Sequence, residues 1–98
     1  MAESLSIEWS SSASSNLDNF YKYIANEWSF IDTEKFLDQV QEFENMVASF
    51  PTAFITLKRK KKYRIGLIHR HVSAIFEVRK SKIFIVASRD NSSKPKFK

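Results

Sequence analysis

The chain has no cysteine, one glycine and two prolines in its 98 residues. Without cysteine there is no disulfide framework and no thiolate metal site, which fits a reducing, cytoplasmic setting. No apolar run approaches the length of a membrane span, and the N-terminus carries Glu3 where a secretory signal would be basic and apolar. No internal repeat is present. These absences point to a small soluble cytoplasmic domain with no membrane partner. The single glycine, Gly66, sits inside an apolar stretch, so it predicts a bulge or a close backbone approach.

Hydrophobic residues make up 43% of the chain, enough for one core and too many for wholesale disorder. A chain of this length holds one two-layer domain over residues 1–98 and has no room for two cores.

Charge is divided along the chain. Residues 1–57 carry nine acidic and two basic residues, a net charge of −7. Residues 58–98 carry fourteen basic and two acidic residues, a net charge of +12. The sign changes abruptly at Lys58-Arg59-Lys60-Lys61-Lys62. A half this basic attracts phosphate backbones, anionic membranes or acidic protein segments, and composition alone does not choose among them.

Hydrophobic period gives the order of elements. Leu5, Ile7 and Trp9 alternate with polar residues, as in a half-buried strand. Ser10 to Ser12 supply helix N-caps. Ala13, Leu17, Phe20, Tyr21, Ile24 and Trp28 then follow at helical spacing, predicting a helix over about residues 11–27. Asp32 or Thr33 is the expected cap of a second helix. Its stripe is Phe36, Val40, Phe43, Val47 and Phe50, with Leu37 beside it, and Pro51 ends it. Tyr63 to His69, Val72 to Arg79 and Lys82 to Ser88 read as three strands joined by short turns. Ile83-Phe84-Ile85-Val86 is apolar on both faces and belongs inside the sheet. Residues 91–98 read as a weakly packed tail. The expected fold is α+β, ordered β-α-α-β-β-β, with a helical hairpin packed on one face of an antiparallel sheet.

This order, together with Ile7-Glu8-Trp9-Ser10 before Ala13, Phe50-Pro51 after the second helix and Arg64 in the next strand, resembles the RelE/ParE family of bacterial toxins. The resemblance spans residues 5–95. It implies the toxin of a type II toxin–antitoxin (plasmid stabilisation) module, a growth inhibitor held in a hetero-oligomer by a cognate acidic antitoxin. Members of the ParE branch poison DNA gyrase. Members of the RelE branch cleave mRNA on the ribosome without a metal or cofactor. A relative that only binds its antitoxin is a third alternative.

Several residues carry candidate functions. Lys58, Arg59, Lys60, Lys61 and Lys62 fall where the family places basic loop residues. They read either as a solvated surface or as a clamp for target or phosphate. Arg64 matches the family's strand arginine. Its planar fork suits phosphate or carboxylate, and by alternation with Ile65 and Leu67 it is expected to point away from the helices. Lys58, Lys60, Lys61 and Arg64 are the expected antitoxin contacts. His69 and His71 flank a turn and lack a third ligand nearby in sequence, so they read as turn residues. Trp9 and Trp28 read as core, and Ser10 to Ser15 as a helix start without nucleophilic partners.

Two positions depart from the nuclease pattern. The middle-strand tyrosine of many relatives is matched by Ile75 and Phe76, and the arginine after the last strand is matched by Ser92. The remaining catalytic candidates are Tyr63, Arg64 and Arg89. The replacements favour a ParE-like toxin that acts by binding over a RelE-like endonuclease.

Overall fold

The computed structural model describes residues 5–69 and 71–90. The tail expected at 91–98, with Ser92 in it, lies outside the described residues. The elements are β1 (Ser6–Trp9), α1 (Ser11–Glu27), α2 (Phe30–Ser49), β2 (Ile55–Thr56), β3 (Tyr63–His69), β4 (Val72–Val78) and β5 (Lys82–Asp90).

Helix α1 starts where the serine run predicts. The Ser10 hydroxyl accepts the Ala13 backbone N–H at 3.0 Å, and the same hydroxyl donates to the Val86 carbonyl at 2.9 Å. One side chain thus caps the helix and fixes its start to β5. The small Ala13 is fully buried, and its carbonyl accepts the Ser88 hydroxyl at 2.9 Å. The Trp-Ser-x-x-Ala pattern is therefore a device that seats α1 on the sheet. Replacing such a cap by alanine typically costs about 1 kcal/mol.

Helix α2 begins three residues before the expected cap. Ser29 is the N-cap, and Asp32 closes a capping box by accepting the Ser29 backbone N–H. The stripe Phe36, Phe43 and Val47 is buried as expected, with Val40 packed against the core. Phe50 lies outside it, exposed at the helix end, and Leu37 is also largely exposed. Pro51 opens a short 3-10 turn over Pro51–Ala53, because the residue before proline leaves helical angles.

The five strands form one sheet in the order β1-β5-β4-β3-β2. β5 is interior, as its two-faced apolar run predicts. The expected wholly antiparallel sheet is corrected in one respect. β1 pairs parallel to β5, so the sheet is mixed. β2 is an additional edge strand of two residues, antiparallel to β3. Both helices pack on one face, where Phe20, Ile24, Phe36, Phe43, Phe76 and Ile85 are among the core residues.

Gly66 explains how α2 comes so close. A Cβ there would lie 2.7 Å from ring atoms of both Phe43 and Phe54. Gly66 therefore marks a close approach. The irregularities of the sheet lie elsewhere, at Leu67/His69 and at Ile75/Phe76.

Candidate functional site

Pairing decides what the two charged loops can do together. Tyr63, the first residue of β3, faces Glu77 near the end of β4. The β2–β3 loop, Lys58 to Lys62, therefore sits at the same end of the sheet as the β4–β5 turn with Arg79, Lys80 and Ser81. Ser6 at the start of β1 pairs with Lys82 at that end too. Two hairpin tips thus build one cationic rim. The lysine run makes the first tip legible in the sequence, whereas Arg79-Lys80 joins it only through strand pairing. The signal was available in the register of the two hairpins, which juxtaposes residues seventeen or more positions apart.

Lys58, Arg59, Lys60, Lys61, Lys62 and Lys80 are all exposed and, among the described residues, have no ion-pair partner. Arg79 and Lys82 are paired instead, with Glu77 and Glu8. The Lys82 ammonium, hydrogen-bonded to Glu8, holds that carboxyl below its ordinary value, and Arg79 adds to the effect. Lys62 lies over the Tyr63 ring, 5.1 Å from its centroid, and Arg79 over the Phe84 ring at 4.4 Å. The cations cover the aromatic faces nearest the rim.

Arg64 does not face the way alternation suggested. It pairs across the sheet with the fully buried Phe76 and shares a face with Gly66 and Ile68, so it lies on the helical side. Ile65 and Leu67 take the open face, where Leu67 is 62% exposed and Ile55 of β2 is 72% exposed. Arg64 is half-buried there. Its guanidinium donates to the Phe54 carbonyl at 2.6 Å, bracing the turn between α2 and β2.

The other candidates are dispersed. Tyr63 and Arg64 are sequence neighbours on opposite faces of β3. Arg89 pairs with Ser73 near the far end of β4, remote from both. It lines a cleft of about 500 Å³ with Asn16, Asn19, Tyr23 and Val72. His69 and His71 also lie at that far end. His69 packs among Phe20, Trp28 and Phe36, with ring centroids 5.8–5.9 Å away, and its Nδ1 accepts the His71 backbone N–H at 3.1 Å. Trp9 is half-buried against the core and donates its indole N–H to Glu44 at 2.7 Å. Among the described residues no group of three or more His, Asp or Glu could hold a metal ion. No helix among them is long and apolar enough to cross a membrane.

Similar architectures occur in solved structures. Over 91% of this chain and 98% of the other, the fold matches a protein of the chromosomal ParDE TA system from P. aeruginosa, with a TM-score of 0.71 and 18% identity. A YoeB dimer from Staphylococcus aureus matches over 89% of this chain and 97% of its own, with a TM-score of 0.64 and 17% identity. A copper-bound mutant toxin from Helicobacter pylori matches over 93% and 99%, with a TM-score of 0.57 and 18% identity. At these identities the likeness is one of fold. Comparison with curated protein sequences gives no match. The family model of the ParE toxin of type II toxin-antitoxin system, parDE, matches residues 7–91. By that match, with the fold in agreement, the chain belongs to the ParE toxins of type II toxin–antitoxin systems.

Proposed function

We propose that this toxin acts by gripping a macromolecular target, DNA gyrase, and not by cleaving RNA. The observation that carries the reading is the separation of the cationic rim from the chain's two histidines, with the Tyr63 phenol the candidate beside the rim, under Lys62. The cationic rim is at one end of β3, and the chain's two histidines are at the other end or just beyond it. Six residue steps lie between Tyr63 and His69, about 20 Å along a strand. A general base must come within hydrogen-bond reach of the proton it takes, and positioned acid–base groups contribute factors of about 10² to 10⁴. Near the rim, the Glu77 carboxylate is engaged by Arg79. Phe76, at the position of the nuclease tyrosine, is fully buried in the core and has no hydroxyl.

An antitoxin is the partner that the family implies. Its acidic segment covers Lys58, Lys60 and Lys61, with Arg64 at the border, and so neutralises the rim. Opposite charge and the usual behaviour of inhibitory segments that order on binding support this placement. The test is inducible expression in bacteria, with plasmid supercoiling and mRNA integrity read separately. Loss of supercoiling with intact mRNA supports the reading. Codon-aligned mRNA cuts with normal supercoiling overturn it in favour of a RelE-like endonuclease.

A further inference from the structure

We infer that the rim formed by the β2–β3 loop and the β4–β5 turn is a binding surface for the phosphate backbone of duplex DNA. The toxin then holds DNA as well as protein in the target complex. The choice of DNA rests on the gyrase reading. The choice of a duplex rests on the rim itself.

Three observations carry it. First, six exposed cations, Lys58 to Lys62 and Lys80, share one end of the sheet with no carboxylate partner among the described residues. Side chains serving only solubility are ordinarily interspersed with charges of the other sign. Among the described residues, the acids at that end, Glu77 and Glu8, are already engaged by Arg79 and Lys82.

Second, the tips are spaced for a duplex. The β2–β3 loop and the β4–β5 turn are two strand intervals apart in the order β5-β4-β3-β2. At about 4.8 Å per interval this is about 10 Å. The grooves of a DNA duplex are about 6 Å and about 12 Å wide, so tips at this separation, extended by exposed lysine side chains, are sized to reach phosphates across the wider groove.

Third, among the described residues the two aromatic rings beside the rim, Tyr63 and Phe84, each already carry a cation over one face. Single-stranded nucleic acid is held by open aromatic faces on which bases stack. The remaining contact is electrostatic and independent of base sequence, which is how proteins hold a duplex backbone.

The test is fluorescence anisotropy of full-length toxin on a short labelled DNA duplex, without gyrase, over a salt titration. If about four phosphates are neutralised, the log–log slope is about −3.6, and affinity falls about 150-fold between about 50 and 200 mM salt. Lys60→Ala/Lys61→Ala is expected to make the slope shallower by about two units, and Lys80→Ala by about one. Lys22→Ala, on α1, is expected to leave it unchanged. All these side chains are exposed, and circular dichroism of each variant checks that the fold is kept.

Unchanged slopes in the rim variants overturn the inference. So does equal or tighter binding of a single strand of the same length, which would assign the rim to unpaired nucleic acid. Failure to bind duplex at low salt, together with loss of DNA-free gyrase binding in the rim variants, would reassign it to an acidic protein surface. Because duplex binding is read without gyrase, this outcome and the gyrase reading stand or fall separately.

Discussion

The indole of Trp9 donates to the Glu44 carboxylate at 2.7 Å, joining the first strand to the second helix across thirty-five residues of sequence. The bond anchors α2 against the edge where β1 lies parallel to β5. A hydrogen bond to a charged group contributes about 1.5–3 kcal/mol. Trp9→Phe keeps most of the packing and removes the donor, so it is expected to lower stability by about that amount. Urea denaturation of the wild type and the variant measures it, and an unchanged midpoint would show that the bond contributes nothing.

Gly66→Ala is expected to destabilise the toxin by about 1–3 kcal/mol, the usual cost of overpacking a filled core. The added methyl meets Phe43 and Phe54. Phe54→Ala in the same background should recover part of the loss from Gly66→Ala, seen in a double-mutant cycle as a coupling between the two sites. Strict additivity would contradict the contact.

That position also shows what the sequence conceals. Serine caps and aromatic spacing make α1 legible to the residue, because Ser10, Ala13, Phe20 and Ile24 obey local rules. The inward face of β3 is not legible in this way. Ile65 and Leu67 look like its core side, but the inward residues are Gly66 and Ile68, since the aromatic rings of Phe43 and Phe54 fill the space a side chain at Gly66 would take. Two of the strand's three large aliphatic residues, Ile65 and Leu67, therefore point outward, and Arg64 points inward. β2 escaped detection because two paired residues leave no period to read. Half of the rim escaped because it is created by strand pairing between segments that are far apart in sequence.

Phe76→Tyr is expected to destabilise the toxin without creating ribonuclease activity. The new hydroxyl enters a site with no solvent exposure, among the rings of Phe43 and Phe54. Burying an unsatisfied hydroxyl costs about 1–3 kcal/mol. Thermal melting combined with primer extension on mRNA in a translating extract tests both halves. New cuts in the variant would place Phe76 within reach of a substrate.

The Glu8–Lys82 pair predicts a pH effect of known sign. Glu8 has a lowered pKa in the folded protein because Lys82 hydrogen-bonds to it and attracts its charge. A lowered carboxyl pKa stabilises the fold above the ordinary carboxylate range, and the effect is lost as pH falls through the lowered value. Lys82→Gln should therefore bring the Glu8 titration, followed by NMR, up toward the ordinary value. It should leave acid unfolding unchanged at pH values below both. A Glu8 titration that does not move would show that the pair is not formed in solution.

The most direct measurement is DNA gyrase supercoiling in vitro with purified toxin, with mRNA cleavage followed in a parallel translating extract. A toxin that works by binding inhibits supercoiling in proportion to its concentration, leaves mRNA intact, and loses its effect when antitoxin is added. Undisturbed supercoiling at toxin concentrations that cut ribosome-bound mRNA would contradict this and identify the chain as a nuclease.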